Sequence, residues 1–256
     1  KNTEEQQMIE DIRATLLERP REEPLHYNLG LLLLSSSPKP AEATKREALL
    51  AFENAVMLNP TREGSWYNLA VLRDELGTKE SALEAYDKTL ELSSMEKLRV
   101  ACYANKISIL ISAGDLEKAA KCSEEAVLEF PNEASLWCGM GVVLRMDRNV
   151  EWSTKAFENA LACCEEGSGN EDENTLVALN NLGALYASSI AIKAAEGKEV
   201  GAEAAAKAVN MYERALERAP EDLSSLYGLG VLRRDLGDVD KARALFEHAL
   251  QVAPDD

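Results

Sequence analysis

Four asparagines stand in one recurring local setting, and their side chains are the ones in this chain best suited to recognising another polypeptide. Asn28, Asn68, Asn105 and Asn181 each come one residue before the pairs Leu29-Gly30, Leu69-Ala70, Lys106-Ile107 and Leu182-Gly183. A carboxamide donates through nitrogen and accepts through oxygen, so it satisfies both backbone groups of an extended peptide without demanding a particular side chain. Gly139 and Gly228 hold the same place before Met140-Gly141 and Leu229-Gly230 and interrupt the series. Tyr27, Tyr67 and Tyr227 precede Asn28, Asn68 and Gly228, and Asn180 precedes Asn181, which sets amphipathic area beside the amides. Arg145 and Arg234 follow Gly141 and Gly230 by four residues. They suit acidic groups on a ligand, or pair with Asp147 and Asp235 beside them. For the asparagines the alternative is a bond to a neighbouring helix or to water.

Chemistry beyond binding finds no support in the pattern. His26 and His248 are separated by most of the chain, and no HExxH, GxGxxG or P-loop motif is present. The acidic stretch from Glu165 to Asn174 lacks the ordered ligand spacing and central glycine of an EF-hand loop. The expectation is a segment with no catalytic residue, no cofactor and no metal.

Helices must position these residues. From Leu223 to Pro254 apolar residues return every three or four positions on either side of Leu236-Gly237-Asp238, which reads as two helices joined by a turn. Counting back 34 residues from Pro254 reaches Pro220. The second-helix residues Ala242, Phe246, Ala249 and Pro254 have counterparts in Ala208, Tyr212, Ala215 and Pro220, and in Ser153, Phe157, Ala160 and Glu165. They return again as Ala119, Ser123, Ala126 and Pro131, as Ala82, Tyr86, Thr89 and Ser94, and as Ala48, Phe52, Ala55 and Pro60. A Gly or Ala where two helix axes approach lets the backbones close up, and the aromatic fills the space beside them. Pro lacks the amide hydrogen for a further helical bond and ends the unit. The third unit is the weakest match, with Lys106-Ile107 for Leu-Gly and Ser123 for the aromatic, which predicts looser or shifted packing there.

The order Leu226, Leu229-Gly230, Gly237, Ala242, Phe246, Ala249 and Pro254, with its 34-residue recurrence, resembles the tetratricopeptide repeat. That resemblance implies an all-α fold, a right-handed alpha-alpha superhelix in which residues 23–256 form a single solenoid of six repeats. Residues 1–22, with Met8, Ile12, Leu16 and Leu17 before Pro20, are an N-terminal capping helix or part of a preceding repeat. Insertions are expected at about 35–43, 95–99, 165–175 and 187–205, the last an Ala-rich extension of both helices into a projecting hairpin end. In this family the first helices line a concave face, and asparagine in the place before Leu-Gly commonly faces the groove. The resemblance therefore makes Asn28, Asn68, Asn105 and Asn181 an asparagine ladder, with Tyr27, Tyr67, Tyr227, Asn180, Arg145 and Arg234 beside it. It does not extend to the two-carboxylate clamp of chaperone-binding members: the matching places carry Tyr27, Leu31, Asn68, Ala101 and Asn105, of which only Asn68 fits.

The formal charge of -17, from 45 acidic against 28 basic residues, disfavours nucleic-acid backbones and anionic membranes and leaves protein partners open. No apolar run reads as long enough to span a bilayer, so no direct membrane contact is expected. Five cysteines, an odd number that includes the vicinal Cys163-Cys164, fit free thiols in a reducing compartment and hence a cytoplasmic protein, or an organellar one whose import segment has been removed. Lys1 in place of an initiator Met suggests an excerpt, with room for a flanking domain. The expected function is a protein-interaction scaffold that holds an extended or disordered polypeptide in its groove. The alternatives are the substrate-recognition region of a larger enzyme such as a glycosyltransferase, and a complex-assembly factor that uses its convex face.

Overall fold

The structure, a computed structural model, describes residues 2–166, 171–195 and 202–253. Among the described residues every regular element is an α-helix. The chain divides into two compact units, Lys1–Ala113 and Gly114–Asp256. The first holds α1 (Asn2–Glu18), α2 (Glu23–Ser35), α3 (Glu42–Leu58), α4 (Glu63–Glu75), α5 (Lys79–Leu92) and α6 (Glu96–Ala113). The second holds α7 (Leu116–Glu129), α8 (Ala134–Met146), α9 (Val150–Glu166), α10 (Glu171–Ala195), α11 (Ala202–Arg218), α12 (Leu223–Asp235) and α13 (Val239–Val252). In the first unit α2 pairs with α3 and α4 with α5, and in the second α8 pairs with α9, α10 with α11 and α12 with α13. Each pair then packs on the next within its unit, α3 on α4 and α11 on α12 for example, which is the paired-helix solenoid of the sequence pattern. The division at Ala113 and Gly114 falls between α6 and α7, the helices that carry Lys106-Ile107 and Ser123 in place of the usual residues.

The pairs are held by an aromatic ring laid against a glycine. The Phe52 ring lies over Gly30, Phe157 over Gly141, Tyr212 over Gly183 and Phe246 over Gly230, each so close that a Cβ on the glycine would fall 2.5 to 2.8 Å from ring carbons. Helix axes can approach this closely only where no side chain intervenes. Phe52, Phe157 and Leu69 are fully buried, each burial removing enough apolar surface to stabilise by about 1.5–3 kcal/mol. In α4 and α5 the same place is taken by Ala70 and the buried Tyr86.

The junctions between pairs use a hydrogen bond that the repeat pattern does not announce. Trp66 Nε1 donates to the Pro60 carbonyl at 2.9 Å, and Trp137 Nε1 donates to the Pro131 carbonyl at 2.8 Å. His26 Nε2 lies 2.9 Å from the Pro20 carbonyl. A carbonyl only accepts, so this nitrogen carries the hydrogen. The α1–α2 junction is thus built like the α3–α4 junction, with Ile9 of α1 buried against Leu29, Leu33 and Phe52 and Arg13 paired to Glu47 at 2.7 Å.

Helix ends follow local chemistry. Gly77 and Gly237 close α4 and α12 at φ +85°, with the next amides, Thr78 and Asp238, donating to the Arg73 and Arg233 carbonyls at 2.8 Å. This is the left-handed C-terminal turn for which glycine is suited. In the equivalent turn after α8 the place falls to Arg148, at φ 62°.

Residues 36–41, in the first expected insertion, link α2 to α3 without helix. The expected insertion at 165–175 includes 167–170, outside the described residues. Of the one at 187–205, α10 accounts for the part up to Ala195, making it the longest helix at 25 residues. The expected projecting hairpin end falls on residues that include 196–201, which lie outside the described residues. The expectation that no run suits a bilayer needs correction: Glu173–Ile192 reaches a mean hydropathy of 1.4 over 20 residues. Its many Ala residues lengthen the apolar run without making it bulky. Its packed face, with Ala178, Leu179, Leu182 and Leu185, is part of the second unit's core with Phe157 and Ala215.

Candidate functional site

In the first unit Asn28 and Asn68 sit one residue before the buried Leu29 and Leu69, on α2 and α4. Asn28 is exposed at the rim of an apolar groove between α1 and α2, about 470 Å³, lined by Met8, Ile12, Leu31 and Leu32. Asn68 donates Nδ2 to the Gly64 carbonyl of its own helix at 2.7 Å, which leaves its Oδ1 for another donor. Asn105, on α6, hydrogen-bonds the Tyr67 and Tyr86 hydroxyls. Those rings meet edge to face at 6.1 Å, and burial raises both phenol pKa values. Tyr27 packs on Phe52 at 5.9 Å beneath the Arg62 guanidinium, 4.6 Å from the ring centre. Arg62 in turn pairs with the buried Glu23 at 2.6 Å. Tyr27 and Tyr67 therefore act in the scaffold of this unit.

In the second unit Asn181 donates Nδ2 to the Val177 carbonyl at 2.8 Å, as Asn68 does to Gly64. Asn180 turns the other way. Its Nδ2 donates to Asp222 Oδ2 at 2.9 Å, and its Oδ1 lies 2.6 Å from the Ser225 hydroxyl. Asp222 also accepts from the Ser225 amide at 2.7 Å and so caps α12. Asn180 is thus the tie between α10 and α12. Arg145 is exposed in the last turn of α8, and Arg234 gives both Nε and Nη2 to Asp235 Oδ1, at 2.9 and 2.8 Å.

Beyond that tie, α10 and α12 enclose a groove of about 540 Å³, within the range of ligand clefts. Small residues of α10, Ala184, Ala187, Ser188 and Ala191, form one wall, and Tyr227, Val231, Asp235 and Leu236 of α12 form the other. Tyr212 of α11 is the floor, its ring against Gly183 on one side and Gly228 on the other, where a Cβ would stand 2.8 and 2.6 Å away. Tyr227 is 65% exposed, although its ring is only 5.8 Å from Phe246. The sequence signal for this groove was the spacing of Ala184, Ala187, Ser188 and Ala191, three and four apart on one helix face.

Reactive groups are sequestered. Cys102, Cys122, Cys138 and Cys164 are buried and Cys163 is half-buried. Burial pushes the Cys102 thiol up to about 12, against smaller lowering contributions from Thr89, Lys106 and Arg99. Burial pushes Cys138 up to about 12 as well, with Cys164 and Cys163 nearby adding to the shift. Among the described residues no group of three His, Cys, Asp or Glu side chains could hold a metal ion.

Tetratricopeptide repeat models match residues 63–94 and 199–256. No curated protein matches the sequence. Among solved structures, the C-terminal part of a TPR repeat-containing protein from Cytophaga hutchinsonii is similar at 13% identity and a TM-score of 0.70, over 100% of this chain and 93% of that one. A chain of the APC/C hetero-tetramer Cut9-Hcn1 is similar at 15% identity and a TM-score of 0.66, over 99% of this chain. The alignment spans only 44% of that chain. YrrB, a TPR protein with an unusual peptide-binding site, is similar at 20% identity and a TM-score of 0.56, over 80% of this chain and 93% of its own. The paired helices, the glycine–aromatic contacts and the matched repeats define the class. Residues 63–94 and 199–256 match the tetratricopeptide repeat family, and the described remainder of the chain follows the same paired-helix pattern.

Proposed function

We propose that this scaffold holds an extended polypeptide along the first helices of its repeats, with Asn28, Asn68, Asn105 and Asn181 contacting the peptide backbone. The observation that carries the reading is the side-chain state of Asn68 and Asn181. Each is fixed by its own amide nitrogen to a carbonyl one turn back, so each presents an oriented Oδ1 acceptor at little further cost in side-chain entropy. Asn28 adds an exposed amide, and Asn105 exchanges a tyrosine partner for a peptide one. A cytoplasmic setting is part of the proposal, supported by five cysteines that stand outside any disulfide.

The test is an array of proline-containing peptides, which cannot form helices, probed with the full chain and with the Asn28→Ala/Asn68→Ala/Asn105→Ala/Asn181→Ala variant. A sequence-tolerant clamp binds many unrelated members, and the variant loses about tenfold or more in affinity on each, two lost backbone bonds being worth roughly that. Equal binding by a variant with an unchanged circular dichroism spectrum rejects the ladder.

A further inference from the structure

The groove between α10 and α12 calls for a different occupant. An extended peptide laid there would have to satisfy its amides and carbonyls against walls mostly of Ala, Val and Leu, with polar side-chain atoms only from Ser188, Asp235 and the hydroxyls of Tyr212 and Tyr227. Backbone groups buried without partners are costly, and a helix escapes that cost because its backbone bonds are internal. The small residues of α10 fall on one helical face, the pattern that lets another helix axis come close. Opposite them, Tyr227, Val231 and Leu236 supply bulk. Two exposed apolar groups line the same place, Tyr227 at 65% and Leu236 at 42%. A patch of this kind beside a cleft marks an interaction surface.

Charge selects among helices. Residues 114–256 carry 27 acidic against 14 basic residues, a net -13 of the chain's -17. A second copy of this chain would meet like charge, whereas a basic helix is drawn in. At the groove itself Asp235 pairs, among the described residues, with Arg234, its own exposed neighbour, a pair of small worth that a ligand cation can replace. The Asn180–Asp222–Ser225 tie keeps the two walls in place before the ligand arrives.

We infer that the α10–α12 groove binds an amphipathic helix of a partner protein, its apolar face seated over Tyr212 and between Ala187 and Tyr227, its flanks carrying Lys or Arg. The inference rests on the reading of the chain as a protein-binding scaffold but not on the asparagine ladder.

The probe is a fluorescein-labelled 18-residue peptide with Leu at helical i, i+3, i+4 and i+7 spacing and Lys elsewhere, titrated with the full chain and followed by anisotropy and peptide circular dichroism. Three comparisons accompany it: the same Leu pattern with Glu for Lys, the Lys peptide with two central prolines, and the chain variants Ala187→Glu and Tyr227→Ser. The expected result is saturable binding with a gain in peptide helicity, weakened tenfold or more by Glu for Lys, by proline, and by either variant. Ala187→Glu is decisive, because it adds a charge that attracts the peptide while it fills the groove. Tyr227 also borders a second apolar groove with Phe246 and Leu250, so Tyr227→Ser serves as the check that leaves the core untouched. Absence of binding, equal binding by Ala187→Glu with an unchanged melting temperature, or equal binding of the proline peptide would each overturn the proposal. The Asn28→Ala/Asn68→Ala variant binds the Leu/Lys peptide as the parent does. A loss there instead puts the helix on the ladder and also overturns the proposal.

Discussion

Trp66 donates its indole hydrogen to the Pro60 carbonyl at 2.9 Å, and the bond ties the first helix of one pair to the end of the pair before it. Trp137 and Pro131 repeat the relation in the second unit. Trp66→Phe keeps an aromatic ring at the junction and removes the donor with the pyrrole half of the indole. The Pro60 carbonyl then turns to water, so the cost is one net hydrogen bond, about 0.5–1.5 kcal/mol. Urea unfolding should show this loss for Trp66→Phe and a similar one for Trp137→Phe. An unchanged midpoint in both would mean that the rings, and not the bonds, hold the junctions.

Gly141 and Gly230 occupy equivalent places, yet they should respond oppositely to alanine. A Cβ on Gly141 would meet the Phe157 ring at 2.7 Å, and Phe157 is fully buried with nowhere to go. A Cβ on Gly230 would meet Phe246 at 2.6 Å, but Phe246 is only half-buried, in the last helix. Alanine gains about 1 kcal/mol of helix propensity at either site, against about 1–3 kcal/mol for overpacking a closed core. Gly141→Ala is therefore expected to destabilise by up to about 2 kcal/mol, while Gly230→Ala is neutral or stabilising. Matched chemical denaturation of the two variants reads the sign directly.

Those glycines and aromatics were legible in the sequence because packing of helix pairs leaves a periodic trace: units one, five and six repeat Leu-Gly, then Ala, then Phe or Tyr, and units two and four keep the small residue and the aromatic. The all-α paired-helix fold followed from that trace alone. The junction bonds were not legible, because an imidazole at His26 stands where the other two junctions use an indole; only a ring N–H donor six residues after a proline unites them. The roles of individual side chains were harder still. Asn180 and Asn181 are adjacent and chemically identical, but one ties α10 to α12 and the other bonds its own helix. Helix phase decides between them, and sequence spacing gives phase only to within a residue. The α10–α12 groove was hidden for a related reason: its wall of alanines reads as a helix-favouring insertion until α12 is seen to face it.

Arg148 offers a stabilising substitution. It adopts φ 62° in the turn after α8, where Gly77 and Gly237 serve the equivalent turns. An L-residue there is strained by roughly 1–2 kcal/mol relative to glycine. Arg148 is exposed, and glycine's greater freedom in the unfolded chain offsets part of the relief. Arg148→Gly should raise stability by about 0.5–1 kcal/mol, seen as a higher melting temperature. A fall would show that the arginine side chain makes a contact worth more than the strain.

The buried thiols set an alkaline limit. Cys102 and Cys138 are pushed by burial from 9.0 to about 12. Between those values the unfolded chain releases protons that the folded chain retains, so stability is intact below pH 9 and falls as pH rises toward 12. Tyr186, raised from 10.0 to about 12 by burial and by its bond to Glu158, adds to the fall above pH 10. Urea midpoints should therefore decline from pH 9 upward. The Cys102→Ala/Cys138→Ala variant should keep only the part that begins at pH 10. A profile flat to pH 10.5 in the parent chain contradicts the burial of these groups.

The tie between Asn180 and Asp222 can be examined without touching the groove walls. Asn180→Ala removes a bond to a carboxylate and one to Ser225, while Asp222 still accepts from the Ser225 amide and still caps α12. Hydrogen bonds to charged groups contribute about 1.5–3 kcal/mol, and water will replace part of that at this half-buried site, so a loss of about 1–2 kcal/mol is expected. Amide exchange should accelerate at the start of α12 and stay unchanged in α8. Asn180→Asp is the sharper variant, because it keeps the shape and sets a second carboxylate against Asp222. Its loss should exceed that of alanine at pH 7 and shrink as the pH is lowered through the carboxylate range, where protonation removes the repulsion. If both variants destabilise equally at pH 7 and pH 4, Asn180 acts by packing alone and the two groove walls are held in register by something other than this bond.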